Sequence, residues 1–66
     1  MKITVNNKQY EKNEGITIAA LISELGYGKN GFAVAINNTI IPRSQWEEYT
    51  LSEGASLVIF QAVSGG

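Results

Sequence analysis

A single amphipathic helical stripe, two turns long, constrains everything else this chain can do. Ile18, Leu21, Ile22 and Leu25 recur at i, i+3, i+4 and i+7, the spacing that gathers side chains on one face of a helix. Thr17 stands where a hydroxyl caps a first turn, and Ile16 where it can pack on Leu21. Gly26 follows the last turn, where a left-handed residue commonly stops a helix. Two turns do not hold in water unaided, so the stripe has to be buried. No other segment has a clear helical period, which leaves a sheet as the surface it lies on. The chain has 66 residues, enough for one small domain. Cys and His are both absent, so neither a disulfide nor a zinc site of the usual kind staples it. Ordering it costs on the order of 100 kcal/mol at ~1.5 kcal/mol per residue, and the 44% hydrophobic content must offset that alone.

The segments around the helix have strand period. Met1–Asn6 alternates, with Ile3 and Val5 on one face and Lys2, Thr4 and Asn6 on the other. Asn6-Asn7 suits a tight turn, because Asn tolerates positive φ, and Lys8–Lys12 returns as a polar strand carrying Tyr10. A polar second strand fits a sheet edge. Phe32–Asn37 alternates large and small, Asn37-Asn38 reads as a second hairpin turn, and Thr39-Ile40-Ile41 ends at Pro42. Pro42–Ser52 reads as a loop with a short helical turn, its Trp46, Tyr49 and Leu51 closing the open end of the core. After a turn at Glu53-Gly54, Leu57-Val58-Ile59-Phe60 is apolar on both faces, the mark of a central strand. If that strand enters beside the first and parallel to it, one helix packs on a mixed sheet of about five strands. That α+β arrangement is the β-grasp, the architecture of ubiquitin. The expected domain is 1–62, with 63–66 as a flexible tail.

Composition removes most chemistry. Without Cys, His or Asp there is no thiol nucleophile, no Ser-His-Asp relay and no side chain that ordinarily titrates near neutrality. The five cations are scattered and the net charge is -1, so no basic stripe offers itself to nucleic acid. The apolar run Ile18–Ile22 falls far short of the ~20 residues that span a bilayer, and no signal peptide is visible. The expectation is a cytoplasmic, non-catalytic protein, monomeric when free, with neither nucleic acid nor membrane as partner.

Four motifs remain. Gly26-x-Gly28-x-x-Gly31 matches a dinucleotide fingerprint in letters, yet it follows a helix and leads into a strand, the reverse of what that site requires; it reads as a loop. In Pro42-Arg43-x-x-Trp46, the sole Trp reads as core, while Arg43 is either a surface cation or part of a docking surface. In the last strand, Leu57 and Ile59 share one face and Val58, Phe60 and Ala62 the other. One short helix covers one face of a sheet, so the row holding Phe60 is expected to meet a partner rather than be covered by the 42–52 loop. Finally, Val63-Ser64-Gly65-Gly66 is either a frayed end or a reactive one. Two glycines let the backbone thread a narrow channel, and the Gly66 carboxylate, a poor electrophile, would need activation as an acyl-adenylate by a separate enzyme.

Across essentially its whole length the sequence resembles the ThiS family, the ubiquitin-like sulfur carriers of thiamine biosynthesis. The residues that carry the resemblance are Ala35-Ile36-Asn37, Ile41-Pro42-Arg43-x-x-Trp46, the turn at Gly54, and Phe60-Gln61 running out to Gly65-Gly66. Two positions depart from the pattern: Ala55 follows the turn glycine where an acid is frequent, and Ser64 replaces a small apolar residue. The resemblance implies that an E1-like adenylating enzyme, using ATP and magnesium, activates Gly66. A sulfur donor such as a cysteine desulfurase then converts it to a thiocarboxylate, and thiazole synthase takes the sulfur. It implies Gly66 as the modified residue, a tail without steric bulk and a recognition surface. The readings above supply Ser64 and Gly65 for the threading tail and Val58, Phe60 and Ala62, with Arg43 as a candidate, for the partner surface. The carrier itself binds no cofactor. Sibling carriers for molybdopterin synthesis or transfer-RNA thiolation share these traits, and a β-grasp interaction module with an inert end is the alternative of a different class.

Overall fold

A computed structural model describes residues 1–27 and 31–61. The chain runs β1 (Lys2–Val5), β2 (Lys8–Glu11), α1 (Ile18–Leu25), β3 (Phe32–Ile36), β4 (Thr39–Ile41), a 3-10 turn (Arg43–Gln45) and β5 (Ser56–Gln61). The strands form one sheet in the order β2-β1-β5-β3-β4. β5 lies parallel to β1 and antiparallel to β3. The doubly apolar last strand is therefore central, and the polar Lys8–Glu11 strand is an edge, as its sequence predicts.

Both hairpins turn on paired asparagines in the left-handed region. Asn6 and Asn7 have φ of 52° and 68°, and Asn37 and Asn38 have 51° and 70°. Positive φ at both central residues gives a two-residue turn the twist that antiparallel strands need, and Asn accepts it more readily than most side chains. The observed strands stop one residue short of the expected ends at Asn6, Lys12 and Asn37. At Asn6 and Asn37 the reason is visible: these residues already belong to the turns.

α1 packs on the inner face of the sheet. Ile18, Leu21 and Ile22 are buried against Ile3, Val5, Val34, Ile36, Leu57 and Ile59, with Ile41, Trp46 and Leu51 closing the end. Leu25, expected in the same stripe, is only half-buried at the last turn. The helix N-terminus is satisfied group by group. Thr17 Oγ1 accepts from Ala20 N at 3.2 Å, while Ile18 N donates to Tyr49 O and Ala19 N to Trp46 O, both at 3.0 Å. The loop after β4 thus does two jobs: it covers the core and supplies the carbonyls that an exposed helix start would take from water. Gly26 ends the helix at φ 85°, its N–H reaching the Ile22 and Ser23 carbonyls.

Candidate functional site

The face of the sheet opposite α1 holds the site. Along β5, Leu57 and Ile59 point inward and are 1% and 5% exposed, whereas Val58 and Phe60 point outward and are 48% and 38% exposed. Register fixes their neighbours. Val58 stands beside Ala35 and Phe60 beside Ala33 on β3, and Ala35 stands in turn beside Ile40 on β4. Directly paired residues share a face, so Ile40, Val58 and Phe60 stand on one surface floored by two alanines. Among the described residues these three are the large apolar side chains left exposed. The β1–β2 half of the same face is polar, formed by Lys2 beside Glu11 and Thr4 beside Gln9. The outer surface is divided, apolar toward β4 and polar toward β2.

Ile40 belongs to this patch, although the pattern of the last strand does not reveal it. Its signal lay in the hairpin: a two-residue turn at Asn37-Asn38 places Thr39 opposite Ile36 and Ile40 opposite Ala35, which sends Ile41 inward and Ile40 outward. The 42–52 loop does not fold over this face; Trp46 and Tyr49 reach the helix instead.

Arg43 is not part of the patch. It lies on the helix side, its guanidinium carbon 5.7 Å from the centre of the Trp46 ring. Together they border a groove of about 520 Å³ whose other walls include Ala19, Ile22, Tyr27 and Glu47. Trp46 is buried, and its Nε1 donates to Ile41 O at 3.0 Å, which confirms the core assignment and makes the indole a brace between the loop and β4. The structure therefore brings Val58 and Phe60 together and sets Arg43 apart from them. Ala62, Ser64, Gly65 and Gly66 lie outside the described residues, as does Gly28 of the glycine motif. The described chain reaches Gln61 on β5, beside Phe32.

Electrostatics are quiet around the patch. The shifted groups sit at the far edge, where the Met1 ammonium donates to Glu11 Oε2 at 2.7 Å. That hydrogen bond, helped by the opposite charge, raises the amino pKa and lowers that of Glu11. Among the described residues no cluster of three or more acids is placed to hold a metal ion, and no helix is long and apolar enough to cross a membrane. What the outer face offers is an exposed apolar patch.

A five-stranded mixed sheet with one helix on its inner face and an apolar patch on its outer one defines a ubiquitin-like β-grasp protein. The same architecture is found in a thiamine biosynthesis protein (ThiS) from Geobacter metallireducens. Its crystal structure superposes with a TM-score of 0.86 at 23% identity over all of both chains. Its solution structure gives 0.78, again with this whole chain and 88% of that one. In sequence the chain is 33% identical to the sulfur carrier protein ThiS of Escherichia coli K12 over 66 residues, the full length of both. It is also 30% identical over 66 residues to a thiazole synthase of Paramagnetospirillum magneticum, of which it spans 20%. The ThiS family model matches residues 3–66, and the chain belongs to the ThiS family.

Proposed function

We propose that this sulfur carrier of thiamine biosynthesis works through the carboxylate of Gly66, presented beyond β5 to partner enzymes that dock on Ile40, Val58 and Phe60. An E1-like enzyme, with ATP and magnesium, makes the carboxylate oxygen attack the α-phosphorus and releases pyrophosphate. The resulting acyl-adenylate exchanges a poor leaving group for a stabilised one, and sulfur from a persulfide donor such as a cysteine desulfurase displaces AMP. Reduction of that adduct by a thiol leaves the thiocarboxylate, which thiazole synthase consumes. Ser64 and Gly65 thread the partner's channel without steric bulk. The carrier needs no catalytic side chain, holds no cofactor, and acts as a monomer in the cytoplasm.

The observation that carries the reading is the exposed apolar row on the very strand that leads to Gly65-Gly66, in a chain that aligns end to end with a named sulfur carrier. The thiazole synthase relative adds support, since one of its segments is similar to this whole chain. The test is intact mass after incubation with ATP, the adenylating enzyme and a sulfur donor. One oxygen should be exchanged for sulfur at Gly66, and the product should support thiazole formation. No mass change would leave an inert β-grasp module, and transfer to a molybdopterin or transfer-RNA acceptor instead would assign the chain to a sibling pathway.

A further inference from the structure

The geometry points to Asn6 as a positioning residue that sets the exit direction of β5, and through it the aim of Gly66; this rests on the reading of Gly66 above. In a parallel ladder, alternate residues of one strand donate to a carbonyl behind and accept from an N–H ahead on the other. β1 follows that rule along β5: Thr4 N donates to Ala55 O at 2.9 Å and Asn6 N donates to Leu57 O at 3.0 Å. The next step would have the Asn6 carbonyl accept from Ile59 N. It does not, because Asn6 has already turned, at φ 52°.

Its side chain takes over. Ile59 N donates to Asn6 Oδ1 at 2.9 Å, and Asn6 Nδ2 donates to Ile59 O at 3.1 Å. The amide supplies both the acceptor that the Asn6 carbonyl would have been and the donor that a later β1 residue would have been. It carries the ladder one further step after the backbone has left. The turn alone does not demand this. Glycine meets the positive φ at least as well, and Asp accepts but cannot donate. The choice of Asn satisfies the turn and the strand together.

Position gives the clamp its consequence. Ile59 lies one residue before Phe60 of the docking patch and seven before Gly66. β3 holds β5 from one side up to Gln61, whereas β1 pairs with it through Leu57. At Ile59 the Asn6 amide is what holds the β1 side. Without it the end of β5 is held from one side, and the direction in which the strand leads toward Gly66 is less fixed. Misplacement of a reacting group by about 1 Å can cost ~100-fold in rate.

Asn6→Gly keeps the turn and removes the clamp; Asn6→Asp keeps the acceptor alone. Steady-state adenylation is measured with the carrier as varied substrate, beside hydrogen exchange of the Ile59 amide. Because the carrier is the substrate, loss of folded fraction raises its apparent KM and leaves kcat unchanged. Loss of aim lowers kcat. We expect kcat to fall roughly tenfold or more in Asn6→Gly and less in Asn6→Asp, with Ile59 exchanging faster while Leu21 stays protected. Unchanged kcat with raised KM, or unchanged kinetics altogether, overturns the positioning role while the wild-type mass gain still upholds Gly66. Should the wild type itself gain no mass, the reading of Gly66 fails first, and Asn6 has no reaction to position.

Discussion

At the scale of single residues, the strongest constraints come from side chains that answer to two partners at once. Trp46 fills the end of the core and also donates to Ile41 O. Trp46→Phe keeps much of the bulk but strands that donor's acceptor, and should cost roughly 1–3 kcal/mol, against ~3–5 kcal/mol for Trp46→Ala. Chemical denaturation with an unchanged m-value would establish this; no loss in Trp46→Phe beside a full loss in Trp46→Ala would mean the hydrogen bond contributes nothing. The turns give the converse case. Asn38, at φ 70°, should accept Gly within about 0.5 kcal/mol, whereas Ala there should cost ~1–2 kcal/mol because its Cβ crowds the backbone in that region. Much at this scale was legible, since Thr17, Gly26 and the Asn pairs act through their own side chains or their own φ. What was not legible is work done by main-chain carbonyls. Tyr49 O and Trp46 O cap the helix, and any residue letter would have supplied them. Asn6 escaped for another reason: one letter served two purposes, and the turn explained it sufficiently.

At the scale of elements, β5 carries a buried face and an exposed apolar face, and on the proposed function stability and recognition separate between them. Ile59→Ala should cost ~2–5 kcal/mol, as truncation of a buried branched side chain does. Phe60→Ala and Ile40→Ala should cost well under that, and both should raise the KM of the adenylating enzyme or of thiazole synthase for the carrier. If Phe60→Ala unfolds the domain while Ile59→Ala is tolerated, the facing described here is wrong. The alternation that assigns these faces was readable in Leu57–Phe60 alone, but the membership of Ile40 needed pairing across β3, which a strand read in isolation does not contain. The β1–β2 pair carries the pH dependence. Glu11 has a lowered folded-state pKa, so its contribution is present above the ordinary carboxylate range and is lost as pH falls through the lowered value. The Met1 ammonium has a raised one, so its contribution is present below the ordinary amino value and is lost as pH rises through the raised value. Glu11→Gln should flatten thermal stability at both limbs relative to wild type. Because Glu11 is largely exposed, added salt should shrink the difference. Curves that stay parallel across the whole pH range would remove the pair from any account of stability.

Over the whole molecule, the fold and the proposed chemistry occupy different parts of the chain. Among the described residues, which reach Gln61, the twelve buried apolar side chains run from Ile3 to Ile59. The inner face of the sheet holds the domain together, the apolar half of the outer face is the surface proposed to receive partners, and the group proposed to react is Gly66, five residues on in sequence from Gln61. Such a division predicts that changes at the terminus separate stability from function. Deleting Gly65 and Gly66 removes no buried side chain, so the melting temperature should shift by less than ~2 °C, where a loss of 1 kcal/mol would move a domain this small by ~4–8 °C. The same deletion should abolish sulfur transfer, because the new terminal carboxylate falls two residues short of the adenylation site. Adding one residue after Gly66 tests the position from the other direction. It leaves the core and the docking patch untouched, so KM should change little while kcat falls by ~100-fold or more, the carboxylate being displaced by far more than 1 Å. Equal turnover of the extended chain, with intact mass showing that nothing had trimmed it, would remove Gly66 from the mechanism. A fall of more than ~5 °C on deletion would show instead that the terminus belongs to the fold.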